Sequence, residues 1–237
     1  TEGLSAASFT AQAAPNTINS VFGAGLAKNT VSATTTPLPT TLSTTNVLVL
    51  DAFGSVRSAP LFFVSPNQLN LLMPNGTASG EAILLVFVDS QPYAESRLNV
   101  TSVAPGLFTA NQNGSGVPAA QLLRVKADGS QVYEPVADFN AATNRYVPRP
   151  LDFVNDTDKL FLVLFGTGFR GRTSLNGVVL RLADTTAPVS FAGAQGDLVG
   201  LDQINVEIPR SLRGRGEINL TGTVDGKPIN AVTVNVK

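Results

Sequence analysis

The chain is written twice. Phe22-Gly23-Ala24-Gly25-Leu26 returns as Phe165-Gly166-Thr167-Gly168-Phe169, and Gln68-Leu69-Asn70 returns as Gln203-Ile204-Asn205. Pro74 and Pro209 follow the second pair. Gly80-Glu81, Asp89, Pro92 and Val100 return as Gly216-Glu217, Asp225, Pro228 and Val236. The offset is 143 (165 − 22) at the Phe-Gly element, 135 (203 − 68) at the Gln, and 136 (216 − 80) from Gly80 to Val100. Turn residues spaced this way around short apolar runs predict two copies of one β scaffold. The change in offset places extra length in copy one at Thr34–Thr45 and in copy two around Gly193–Gly200. Both are expected to be loops, where added length costs little.

The apolar runs are short and rich in Val, Leu and Phe, and Gly and Pro punctuate them. In copy one the strands read as Thr17–Phe22, Asn46–Leu50, Ala59–Val64, Gln68–Met73, Ala82–Val88 and Arg97–Val103. Turns are expected at Asp51–Ser55 and Asp89-Ser90-Gln91-Pro92. Leu4–Ala14 reads as an edge strand or a flexible arm, and Lys28–Leu42 as an extended loop. In copy two, Ala119–Lys126 and Gln131–Val136 flank Asp128-Gly129, a hairpin signal. Leu160–Phe165, Val178–Leu182, Val189–Ala192, Gln203–Ile208, Glu217–Val224 and Ile229–Val236 follow, with hairpin turns expected at Asn176-Gly177 and Asp225-Gly226. About seven short strands per copy predict an all-β protein of two tandem immunoglobulin-like β-sandwich domains. The expected boundaries are 1–105 and 106–237, the second domain carrying an inserted hairpin and loop segment near 119–158.

Composition excludes more than it assigns. There is no His and no Cys, so no Ser-His-Asp triad, Cys-His pair or His metal site can be built. A carboxylate pair stays possible in principle, but the 17 acidic residues show no motif that singles one out. The expectation is therefore a non-enzyme. Residues 1–105 carry three basic and five acidic residues, and residues 106–237 carry thirteen and twelve. Neither balance suits nucleic acid. No apolar run reaches the roughly 18–20 residues of a membrane span. Thr1-Glu2-Gly3 without Met reads as a processed or excised start.

Several motifs resemble a known family. They are Ser5-Ala6-Ala7-Ser8-Phe9, Ser20-Val21-Phe22-Gly23, Pro37–Leu42, Ala59–Asn70 and Val103-Ala104-Pro105-Gly106-Leu107-Phe108. In the second half they are Leu164–Gly168 and Leu201–Val206. The chain resembles the uncharacterised Solibacter-type C-terminal domain of exported acidobacterial proteins over nearly its whole length. Single copies resemble the IPT/TIG branch of immunoglobulin-like domains. The resemblance implies a secreted or cell-surface protein and no particular activity. Segment 119–158 is longer than the family pattern and could form an added interaction surface.

A few residues could carry chemistry. Gly166-Thr167-Gly168-Phe169-Arg170-Gly171, with Asp184 downstream, spells a dinucleotide fingerprint, but no helix fits between it and Asn176-Gly177. Asn155-Asp156-Thr157-Asp158, with Asp152 nearby, could offer oxygen ligands to calcium, the one cofactor considered. Asp197 and Asp202 flank a Gly-rich loop. Arg170, Arg172, Arg210, Arg213 and Arg215 make copy two locally basic, as a solvated surface or toward an anionic polymer. Gln68/Asn70 and Gln203/Asn205 share a strand face and are expected to bond loop backbone. Asn75, Asn99, Asn113, Asn155 and Asn219 begin glycosylation sequons. The functional expectation is a structural or adhesive surface module. Self-association through strand pairing by the 1–14 arm would make it a filament or layer subunit. The alternative is a polysaccharide-binding module using Tyr93, Tyr133 and Tyr146, without any Trp.

Overall fold

The two halves repeat strand registers as well as residues. Phe22 stands opposite Gln68 and Ser20 opposite Asn70, just as Phe165 stands opposite Gln203 and Val163 opposite Asn205. Gly80 pairs with Val100 and Gly216 with Val236. A slip of one residue would turn every inward side chain outward, so equal register means equivalent cores. This computed structural model describes residues 1–237. The chain divides into two compact units, Thr1–Ala104 and Pro105–Lys237. Both are immunoglobulin-like β-sandwiches, and no helix is long and apolar enough to cross a membrane.

Unit 1 contains β1 (Glu2–Ser5), β2 (Gln12–Ala13), β3 (Ile18–Phe22), β4 (Val31–Ser32), β5 (Thr41–Leu42) and β6 (Thr45–Leu50). It continues with β7 (Val56–Ser58), β8 (Leu61–Val64), β9 (Gln68–Leu72), β10 (Gly80–Val88) and β11 (Gln91–Val100). One sheet runs β1-β3-β9-β8-β4. The other runs β2-β11-β10-β6-β5, with β7 also on β6. Val21, Leu69 and Leu71 from the first meet Val47, Val49, Leu84, Val86 and Leu98 from the second in one buried cluster. Each such side chain stabilises the fold by roughly 1.5–3 kcal/mol.

The segment Leu4–Ala14 is not a free arm. It supplies β1 to one sheet and then crosses to supply β2, which runs parallel to β11, while Ala7, Ala13 and Ala14 are buried. The loop Lys28–Leu42 also yields strand, as β4 and β5. The expected four-residue turn at Asp89 is tighter. Asp89 and Ser90 both take positive φ, 51° and 63°, and Val88 pairs directly with Gln91. This is the primed hairpin geometry that matches strand twist.

Between β6 and β7 a buried carboxylate organises the turn. Asp51 accepts from the N–H groups of Phe53 and Ser55 at 3.0 Å each, from that of Ala78 at 3.2 Å, and from Arg57 at 2.6 Å. Burial pushes this carboxyl up. The bonds from Ala78, Ser55, Arg57 and Phe53 outweigh it and hold the pKa at about 2, below the ordinary 3.8. A depressed folded-state pKa gives stability that is fully present above the unfolded value and is lost as pH falls through the folded one. Melting curves between about pH 4 and pH 2 should therefore fall more steeply for the native chain than for Asp51→Asn. Parallel curves would refute this role.

Unit 2 contains β12 (Gly106–Leu107), β13 (Ala120–Val125), β14 (Gln131–Pro135), β15 (Ala137–Asn140), β16 (Arg145–Pro148), β17 (Pro150–Leu151) and β18 (Lys159–Thr167). Then come β19 (Val178–Leu182), β20 (Thr185–Ala187), β21 (Val189–Ala194), β22 (Asp202–Glu207), β23 (Gly216–Val224), β24 (Lys227–Pro228) and β25 (Val232–Val236). One sheet runs β14-β13-β18-β22-β21 with β12 on β18. The other runs β17-β25-β23-β19-β20 with β24 on β23, and β15-β16 forms a separate hairpin. Asn176-Gly177 is not a hairpin turn. It lies in a short 3-10 turn, Leu175–Gly177, in the connection between two strands of different sheets.

The insertion can now be placed. β17 pairs in parallel with β25 as β2 does with β11, Pro150 and Leu151 standing where Gln12 and Ala13 stand. Unit 1 passes from Ser5 to Gln12 in one short loop. Unit 2 builds β14, β15 and β16 between the equivalent points.

Candidate functional site

The Phe-Gly-x-Gly element is part of the scaffold. Asp202 is fully buried. Its Oδ2 accepts from the N–H groups of Phe169 at 2.9 Å and Arg170 at 3.1 Å, and its Oδ1 from Arg170 Nε at 2.6 Å. The Thr167 hydroxyl donates to the Gly200 carbonyl at 2.9 Å. Burial pushes the Asp202 carboxyl up, against the pull of Arg170 and the two N–H groups. Amides that a pyrophosphate would need are thus already taken by a side chain, and Phe169 fills the core. No helix follows, so the dinucleotide reading fails on geometry. Asp184 lies apart, paired with Arg215 at 3.0 Å. Asp197 sits in an exposed turn that is closed on Gln195.

Gln68 and Asn70 do share a strand face, but they do not reach for loop backbone. Gln68 Nε2 donates to Asn70 Oδ1 at 2.8 Å, and Gln203 Nε2 to Asn205 Oδ1 at 2.7 Å. Each pair forms a polar rung along its strand. Such a rung satisfies half-buried amides without a ligand.

The acidic loop considered for calcium is gathered by cations of the chain itself. Asp158 is buried and receives Arg124 Nη1 at 3.1 Å. Asp156 receives Arg213 at 2.9 Å and lies 3.6 Å from Arg210. Asp152 faces Lys237 at 3.4 Å. Arg210 also donates to the Asp158 carbonyl at 2.5 Å and lies over the Phe153 ring at 4.8 Å. Of the basic group expected in copy two, Arg170, Arg210, Arg213 and Arg215 all have carboxylate partners, whereas Arg172 is in no ion pair. The five sequon asparagines are all exposed.

Arg124 is the residue the sequence hid. Its side chain is 6% exposed, and all three guanidinium nitrogens donate. Nε and Nη2 fork onto Glu134 at 2.6 and 3.2 Å, and Nη2 also reaches the Asp152 carbonyl at 2.9 Å. The bonds to Glu134 foremost, then that to Asp158, raise its pKa against burial. The network ties β13 to β14 and to the loop before β18. It thereby mounts the added strands on the sandwich.

Those strands carry the most unusual surface of the molecule. Tyr133 is 57% exposed on β14, Phe139 55% on β15 and Tyr146 43% on β16. Phe139 and Tyr146 stand opposite one another, and their rings meet edge-on at 5.4 Å. An isolated two-stranded hairpin is marginal in water, so this one is held from outside. Asn111 copies a strand peptide: its Nδ2 donates to the Tyr146 carbonyl and its Oδ1 accepts the Tyr146 N–H, both at 2.9 Å. Val136, buried between β14 and β15, accepts from the Arg149 N–H at 2.9 Å. Of the tyrosines considered for ligand contact, Tyr133 and Tyr146 belong here. Tyr93 bonds the Ala24 carbonyl in unit 1.

No known protein-family description matches the chain, and no curated protein does. Among solved structures it is similar to domains 5–6 of the S-layer protein SbsC. That likeness has 14% identity and a TM-score of 0.23, covering 95% of this chain and 91% of that one. A tetra-tandem repeat from the extending region of a large adhesion protein shows 12% identity and a TM-score of 0.26, covering 100% and 74%. Domains 4–9 of SbsC show 13% identity and a TM-score of 0.27, covering 95% and 29%. Superpositions this loose say nothing of function.

Proposed function

We propose that the chain is a non-enzymatic structural and adhesion module of the cell exterior, and that its binding face is the added β14–β16 segment. The observation that carries this reading is the rigidly mounted, exposed Phe139–Tyr146 pair on a hairpin that copy one lacks. Aromatic anchors held in place before binding lose little entropy on docking and concentrate the energy of protein interfaces. The partner is another copy of the chain or another surface protein. The Solibacter-type resemblance of the motifs supports an exported location. Ion pairs and backbone bonds account for Asp51, Asp156, Asp158 and Asp202 without a substrate.

The second reading is polysaccharide binding, favoured by the same exposed rings together with Tyr133. The double variant Phe139→Ser/Tyr146→Ser separates the two. Sedimentation should show self-association or partner binding at least tenfold weaker, with unchanged melting. Unchanged association would end the protein-docking reading. Binding on a glycan array by the native chain, lost in Tyr133→Ser/Tyr146→Ser, would establish the second reading instead.

A further inference from the structure

The two units treat one sheet edge differently. In unit 1, β8 is covered: β4 pairs along its outer side, Val31 opposite Val64 and Ser32 opposite Phe63, and the Ala33 N–H donates to the Phe62 carbonyl at 2.8 Å. In unit 2 the copy of β8 is β21. Phe63 faces Asn70 as Phe191 faces Asn205, and each strand has its irregularity just before that Phe. Yet β21 is the outermost strand of its sheet. The chain between Gly168 and Val178 is short; its Leu175–Gly177 turn packs against β21, but no strand comes back to pair along it. Pro188 and the irregularity before Phe191 blunt the start of this edge, and the unpaired stretch left to a partner strand is Phe191–Ala194, which has no Lys or Pro.

The surface beside β21 lacks a negative partner. The Arg172 Nη1 atom and the Phe191 ring both lie 3.5 Å from where a Gly193 Cβ would stand. Arg172 is half-buried and in no ion pair, so its guanidinium charge lacks a carboxylate partner. Phe191 is exposed, as are Leu198 and Val199 in the loop that follows β21. At the opposite margin of the same sheet, β14 leads into β15, which has a partner on only one side. β15 displays Asp138 beside Phe139. Asp138 is held only by Arg149 at 3.3 Å in a pair about half exposed on both sides, and such pairs bind weakly.

We infer that β21 accepts strand β15 of a second copy, with Asp138 of one chain meeting Arg172 of the next. This deepens the proposed function and rests on it. Donor and acceptor are different surfaces on opposite margins, so the contact is head-to-tail and repeats without closing into a dimer. Charge exchange tests it. Asp138→Arg and Arg172→Glu should each weaken self-association at least tenfold by sedimentation, with filaments absent from micrographs. The double variant Asp138→Arg/Arg172→Glu should recover association to within about threefold, since a coupled pair is restored only jointly. The neutral variants Asp138→Asn and Arg172→Gln, with melting curves for all, separate lost contact from lost fold. Single variants that associate normally, or a double variant that stays weak, overturn the pairing. If Phe139→Ser/Tyr146→Ser weakens association while the charge variants do not, the pairing is wrong and the docking face stands. A native chain that never self-associates removes the pairing, and binding to another surface protein then decides the docking face.

Discussion

Arg124→Ala is expected to lower the stability of unit 2 by about 3–5 kcal/mol, the usual cost of removing one partner from a buried ion pair. Asp158, 2% exposed in the native chain, would lose the cation that compensates its charge. Glu134 would lose its fork and, being 36% exposed, turn to water, while the Asp152 carbonyl would lose its Arg124 donor. Arg124→Lys should recover only part, because an ammonium cannot span Glu134 and Asp158 together. The loss should be local as well as global. Amide exchange in β14 should speed up before exchange in β18, since β14 is the strand that the network mounts. Replacing Arg124, Glu134 and Asp158 together by apolar residues of like volume should cost less than Arg124→Ala alone. A single-variant loss below about 1 kcal/mol would mean that the network is solvated and does not mount the added strands.

The parts of the fold visible in the sequence were those that sterics or period-two burial impose. Asp225-Gly226 forms its tight hairpin because both residues accept positive φ, 47° and 78°. Thr45–Leu50 alternates buried and half-buried along its whole length. The duplication was legible because Phe22/Phe165 and Gln68/Gln203 lie opposite each other within each copy, so that a change in one strand would break register with the other. What stayed hidden depended on partners distant in sequence. β1 and β2 are too short to show a pattern, so Leu4–Ala14 read equally as an edge strand or an arm, and only the edges of β3 and β11 decide for strand. Asn176-Gly177 looks like a hairpin turn, but its flanking strands belong to different sheets. Arg124 looked like one polar residue in an apolar strand. The Asp128-Gly129 hairpin puts Glu134 on the neighbouring strand, but Asp158, 34 residues away, is brought in only by folding. The acidic run 152–158 suggested oxygen ligands. Its arginine partners lie at Arg124, Arg210 and Arg213, beyond the reach of any local motif.

Differences between the copies fall on sheet margins and connections, where pairing and burial tolerate change. Copy one spends its extra length on covering β8 with β4. Copy two spends its own on building outward from β13. The shared frame supplies stability to both, while the exposed Phe139–Tyr146 pair and the unpaired edge of β21 both belong to unit 2.

That the shared frame is not equally tight in both copies gives the second large effect. Gly166→Ala should cost about 3 kcal/mol or more, in the range of severe overpacking, whereas Gly23→Ala should cost less than about 1 kcal/mol. The two glycines occupy the same place in the repeated Phe-Gly-x-Gly element. A Cβ on Gly23 would meet Thr1 Cγ2 at 2.7 Å, the end of a side chain that can turn aside. A Cβ on Gly166 would meet the Gly106 carbonyl oxygen at 2.2 Å and the ring of the fully buried Phe169 at 2.8 Å. That carbonyl belongs to β12, which pairs with β18 at this point, so it cannot retreat without breaking the pairing. Phe169 cannot retreat either, since its backbone is held by Asp202. Urea unfolding of the two alanine variants measures the difference directly. Equal losses would show that β12 yields easily to the added methyl group. A large loss confined to Gly166→Ala, with exchange quickening at Leu107 and Phe108, is the expected result.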